Sequence, residues 1–208
     1  MANPGDELKA DAIDLVFALR GRAVMADYAD RLRGELVRCL PWLAQEVRAG
    51  VHPLGGLSEG VGEHYLSGRS KLTLRVPRER VEQAQALSGQ RLDLGGTAEV
   101  GHLSLRELSP AAVLYSSFVS YGMADEAVFM TECHREVEGL GFRHVRLICG
   151  KARRSAGDSA EVFGFSLMVH GLSAAESLRL QSSGLGGLRQ SGCGIFVPHK
   201  SIAAVDDA

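Results

Sequence analysis

Residues 183–200 read SGLGGLRQSGCGIFVPHK. Five of these eighteen residues are glycine, and they bracket one cation, Arg189, before an apolar run. Glycine loses more backbone freedom on folding than any other residue, so such a cluster needs a compensating use. Gly184, Gly186, Gly187, Gly192 and Gly194 permit positive φ and remove side chains, so several N–H groups can turn toward one anion. The segment is not a Walker loop, because it lacks the GK[ST] ending and follows a helical pattern instead of opening one. It precedes a strand pattern, which also excludes a Rossmann turn. What stands before it decides the fold.

Immediately upstream, SAAESLRL opens with a capping box, Ser173 and Glu176 three residues on. Before it, EVFGFSLMVHGL reads as a strand, KARRSAGDSA as a polar turn and RHVRLICG as a strand. DEAVFMTECHREVEGLGF places Val128, Phe129, Cys133, Val137 and Leu140 on one helical side, and AAVLYSSFVSYG is a further strand. With GIFVP as the last strand, the second half runs β-α-β-β-α-β. The first half repeats that order. A strand is expected near residues 12–19, then a helix capped by Asp27 and ended by Pro41. A short strand over residues 47–53 precedes a long loop, GGLSEGVGEHYLSGR. KLTLRVP alternates as a strand, RERVEQAQAL is a short helix closed near Gly89, and LDLGGTAEVGHLSLREL carries strand to about residue 108. Each half is therefore a ferredoxin-like unit, a four-stranded antiparallel sheet with two helices on one face. The expected class is α+β with two such domains in tandem, residues 1–109 and 110–208.

Composition bounds the function. At 45 % hydrophobic and 23 % charged, the chain is an ordinary globular protein with tails at its ends. No secretory signal and no apolar run of membrane-spanning length is present, so no membrane role is expected. Cys39, Cys133, Cys149 and Cys193 are scattered with no CxxC pair, which argues against a zinc site or disulfide framework and suits the cytoplasm. The net charge of -2 hides an asymmetry: residues 1–142 carry 15 Lys/Arg against 20 Asp/Glu, and residues 143–200 carry 8 against 3. A local positive field attracts a polyanion even in an acidic chain, although an ordinary basic surface patch reads the same way.

The string GLGGLRQSGCG followed by IFVPHK resembles the C-terminal glycine-rich loop and final strand of the CRISPR precursor-RNA processing endoribonucleases of the RAMP superfamily. GCGIFVPHKSI resembles the myxan subtype in particular, as do VHPLGG and LSGRSKLTLRVP. With the duplicated fold, the resemblance covers most of the chain. It implies an enzyme that binds CRISPR repeat RNA and cuts the precursor within each repeat, without a metal or other cofactor. The 2′-hydroxyl upstream of the scissile phosphate attacks, leaving a cyclic phosphate and a 5′-hydroxyl. It also implies retention of the mature guide RNA by some members, and partnership with other subunits of an interference complex. Monomer and homodimer are both open.

That reaction needs a base, an acid and cations near the phosphate. Histidine serves the first two because its pKa lies near neutrality. Of the seven histidines, His52 is the first candidate, in a His-Pro turn beyond the first long helix, where the family keeps a catalytic histidine. Its reading as a mere turn cap remains open. His64 is second, and its reading as a surface histidine is favoured by the residues alone. Tyr28 begins the helix and is a candidate for orienting substrate, although its spacing with Leu32 also suits the core. Lys71 and Arg69, on a strand with Arg75, are candidates for steadying phosphate, or all three are simply the wet side of that strand. RNA-binding candidates are the glycine loop with Arg189 and Lys200, and the turn bearing Lys151, Arg153 and Arg154. The competing functions are a non-catalytic RNA-binding subunit of an interference complex and an unrelated ferredoxin-like module for an anionic ligand.

Overall fold

The structure is a computed structural model that describes residues 9–156 and 161–199. The first half contributes β1 (Ala12–Gly21), β2 (Ala23–Met25), α1 (Tyr28–Cys39), β3 (Gly50–Val51), β4 (Ser58–Glu59), β5 (Glu63–Tyr65), β6 (Lys71–Pro77), α2 (Val81–Ala84), β7 (Arg91–Asp93) and β8 (Thr97–Arg106). The second contributes β9 (Val113–Val119), α3 (Glu126–Gly139), β10 (Arg146–Ala156), β11 (Glu161–His170), α4 (Ala174–Ser183) and β12 (Val197–Pro198).

The sheet orders are β3-β6-β1-β8-β7 and β10-β11-β9-β12. Taking each half as β-α-β-β-α-β, the first and third strands are central and the second and fourth flank them. Both halves therefore share one ferredoxin-like order, and β7 extends the first sheet by an antiparallel strand. The central strands supply much of each core. In β1, Leu15, Phe17 and Leu19 are buried beside Leu72 and Leu74 of β6 and Leu36 of α1. The second core gathers Leu114, Phe129, Cys133, Phe165, Leu167 and Phe196. Ala10, Ala12, Leu108 and Leu178 form a small bridge between the halves.

Local chemistry explains the helix ends unevenly. Val128 N donates to Asp125 Oδ1 at 2.9 Å, capping α3. Ser173 and Glu176 form the expected capping box on α4. Asp27 stands at the α1 start but makes no side-chain cap, contrary to expectation.

Three further expectations are corrected. The glycine-rich stretch after β3 is not plain loop: β4 and β5 pair with β2 as a separate three-stranded sheet. Lys151, Arg153 and Arg154 do not form a turn. They continue β10, paired with β11 from Ala152 to Ala156, because cationic side chains suit an exposed edge strand; residues 157–160 of the expected turn lie outside the described residues. The final strand is only Val197–Pro198. Lys200 and both terminal tails lie outside the described residues.

The halves are stapled by one buried side chain. Arg75 of β6 is 1 % exposed and lies opposite Asp14 of β1 in register. Its Nε and Nη2 donate to Asp14 Oδ1 and Oδ2 at 2.7 and 3.1 Å. Its Nη1 donates to the Gln181 and Phe196 carbonyls of the second half at 3.1 and 2.7 Å. Arg106 of β8 adds a third bond to Asp14, at 2.9 Å.

Candidate active site

A cleft of about 760 Å³ opens between the halves. The start of α1 supplies Tyr28, the turn after β3 supplies His52, and β5 supplies His64. The second half supplies Ser117 and Phe118 of β9, Arg153 and Arg154 of β10, and Gln190, Ser191 and Gly192. Three of the four catalytic candidates thus share one wall, opposite two cations.

His52 is fixed by its backbone N–H, which donates to the Thr73 carbonyl at 2.9 Å. Its Nε2 lies 3.4 Å from Asp14 Oδ1, a contact too poorly aligned to count as a hydrogen bond. Burial lowers the His52 pKa, and the Arg75 and Arg106 guanidiniums add to that, against the pull of Asp14. The ring is therefore neutral at pH 7, the state a general base needs. Burial alone would raise the Asp14 pKa, but the contact with His52 and the hydrogen bonds from Arg75 hold it well below the usual carboxylate range. Tyr28 Oη accepts from Leu54 N at 2.9 Å, and its ring meets His64 edge-on at 6.1 Å. Burial raises the Tyr28 pKa, so its hydroxyl keeps its proton. His64 Nδ1 is buried without a hydrogen-bond partner among the described residues.

The glycine loop differs from its sequence reading. All five glycine N–H groups are already bonded within the protein: Gly184 to Leu180 O, Gly186 to Glu136 Oε2, Gly187 to Ser120 O, Gly192 to Arg189 O and Gly194 to Phe118 O. They therefore do not form an open anion nest. The glycines are needed for packing. A Cβ on Gly184 (φ +67) would stand 2.4 Å from Gly194 O, and one on Gly194 (φ +65) would stand 2.2 Å from Leu185 O. What the loop offers the cleft is residues 190–192. Gln190 also donates to the Leu43 and Glu46 carbonyls, tying the loop to the first half.

Arg189 is corrected as well. It is 6 % exposed, and its Nε, Nη1 and Nη2 have no hydrogen-bond partner among the described residues. It lies beneath the loop among Gly50, Gly184 and Ile195, not on the cleft surface. Burial, with Arg75 nearby, lowers its pKa to about 10, so it remains charged at neutral pH. Lys71 stands at the start of β6 and Arg69 in the preceding turn, and neither lines the cleft. Sequence reasoning missed Asp14 and Gln190, and it took Arg75, which is 1 % exposed, for part of the wet side of its strand. The signal for the first was a lone carboxylate inside the apolar run AIDLVFAL, which no strand buries without a cation opposite.

Two matched ferredoxin-like sheets with a cleft between them define the class of molecule. A solved structure of a Cas6-related protein from Pyrococcus furiosus superposes with a TM-score of 0.68 at 12 % identity, covering 91 % of this chain and 99 % of that one. A RAMP protein binding different RNA substrates superposes at 0.66 and 12 % identity, covering 90 % of this chain and 100 % of that one. At such identities the likeness is one of fold. The family is shown by sequence. The Cas6 CRISPR family model matches residues 13–201. The CRISPR-associated endonuclease Cas6 of Myxococcus xanthus (strain DK1622) is 37 % identical over 195 residues, 93 % of this chain and 84 % of that protein. The chain belongs to the Cas6 family of CRISPR-associated endonucleases.

Proposed function

We propose that the protein binds the repeats of a CRISPR precursor transcript in this cleft and cuts once within each repeat, in the cytoplasm. The observation that supports this reading best is the meeting of Tyr28, His52 and His64 with Arg153 and Arg154 across one opening. On this reading residues 1–109 carry the chemistry and residues 110–208 bind the RNA backbone. The neutral His52 ring takes the proton from the 2′-hydroxyl upstream of the cut. The 2′-oxygen bonds to phosphorus, the bond from phosphorus to the 5′-oxygen breaks, and that oxygen receives a proton from His64 or Tyr28. The products are a 2′,3′-cyclic phosphate and a 5′-hydroxyl. Arg153 and Arg154 steady the added charge on the phosphate, and the Asp14 carboxylate lies beside the His52 ring. Lys71 and Arg69 have no part in this arrangement. No metal step is involved, and the mature guide passes to the other subunits of an interference complex.

The test is incubation with repeat RNA in EDTA, followed by end analysis. Cleavage is expected, and substitution of a 2′-deoxynucleotide upstream of the cut abolishes it. Cleavage of the deoxy substrate overturns the mechanism. His52→Ala lowers the single-turnover rate by about 10²-fold or more, with repeat affinity nearly kept. An unchanged rate removes His52 from the chemistry. The second reading, a non-catalytic RNA-binding subunit, is favoured by the burial of His52, whose side chain is only 11 % exposed. Tight repeat binding without any cut selects it.

A further inference from the structure

The second sheet has a side away from its helices. Leu114, Leu167 and Val169 are buried against α3 and α4, so the alternating residues between them face outward. Strand register aligns Ile148, Met168, Tyr115 and Val197 as one row across all four strands. Ile148 is 41 % exposed, and the other three are half-buried. The Tyr115 ring is met edge-on by His199 at 5.7 Å. Two residues along, exposed Arg146 pairs with His170. This side runs on into the cleft, since β9 carries both Tyr115 and the cleft-lining Phe118, about 10 Å apart along the strand.

We propose that this sheet face is a second RNA-binding surface, which takes single-stranded nucleotides flanking the segment held in the cleft. The proposal rests on the cleft reading for the origin of the RNA, but the face carries its own chemistry. An aromatic ring with a histidine beside it, on an apolar row, offers a stacking platform for unpaired bases. A duplex hides its base faces, so the ligand is single-stranded. Arg146 and, toward the cleft, Arg153 stand where the backbone passes. They belong to residues 143–200, which carry 8 Lys/Arg against 3 Asp/Glu. That balance favours a polyanion over an acid-bearing protein partner.

The experiment compares the affinity of repeat RNA with and without a single-stranded extension, and of a short oligouridylate. Tyr115→Ala is expected to cut the advantage of extended over unextended RNA by about tenfold, and oligouridylate affinity by a similar factor. Tyr115→Phe, which keeps the ring, restores both. Arg146→Ala flattens the salt dependence of oligouridylate binding by about one phosphate contact. An unchanged advantage in Tyr115→Ala overturns the proposal, as does equal weakening on extended and unextended RNA. Either result points to a protein or the chain's own C-terminal residues on this face. If the wild type cuts no repeat yet binds oligouridylate through Tyr115, the cleavage reading fails and the sheet face stands. If it binds no oligouridylate, the sheet face fails.

Discussion

Two buried arginines lie at the junction of the halves, and they are treated in opposite ways. Arg75 makes four hydrogen bonds, two to Asp14 and two to carbonyls of the second half. Arg189 is 6 % exposed and makes none among the described residues. Burial is equally costly for both charges, and only one recovers it through partners. Arg75 is explained by the fold. Arg189 is a charge that no hydrogen bond among the described residues offsets.

The contrast is broken most forcefully at Arg75. Arg75→Met leaves Asp14 buried with its main cation gone and frees two carbonyls. The expected loss is about 3–5 kcal/mol, read from the denaturant midpoint. A loss under about 1 kcal/mol would show that the staple is not structural. Arg189→Met goes the other way. Replacing an unpaired buried guanidinium by an apolar chain is expected to stabilise the free protein by about 1–4 kcal/mol. If Arg189 is kept for RNA, the same variant binds repeats more weakly with a shallower salt dependence. Destabilisation of the free protein would reverse the comparison. The cost at Arg189 is present at neutral pH. With the folded pKa lowered to about 10, it is relieved only as pH rises through that value.

Smaller effects refine the picture. Gly184→Ala puts a side chain at φ +67, against the Gly194 carbonyl and the Arg189 guanidinium, and costs about 1–3 kcal/mol in thermal melts. For His52 the folded pKa is below its ordinary value of 6.5, so its contribution is intact above that pH and is lost as pH falls through the folded value. Stability and cleavage should therefore share an acid limb below pH 6.5, and His52→Gln should remove its part of the stability limb. The smallest change is Tyr28→Phe, which deprives Leu54 N of its acceptor and costs about 1 kcal/mol.

The fold was legible because its signals are local. The period of the strands, the Ser173–Glu176 capping box and the glycines after α4 each depend on neighbours in sequence. The site was legible in part. His52, His64 and Tyr28 could be named one at a time, but their meeting across the cleft depends on how two sheets dock. Lys151, Arg153 and Arg154 looked like a turn because charge and small residues mimic one, whereas an exposed edge strand accepts the same residues. Arg189 looked exposed because loops usually are. Its burial follows from glycine N–H groups that bond inward and draw the loop down over it. The staple at Arg75 joins residues far apart in sequence, and only its acid left a trace, as Asp14 in an apolar strand.

The small sheet of β2, β5 and β4 gives the two histidines different lifetimes in place. His52 is anchored by its amide to the central sheet, beside fully buried Val51 and Leu74. His64 sits on three strands of two or three residues, with Val61 and Tyr65 exposed around it. Amide exchange should therefore be slow at His52, approaching the global limit, and fast at His64, through local opening of the small sheet alone. One histidine is part of the floor, and the other rides on a small sheet at its margin, tied to the core through Val24.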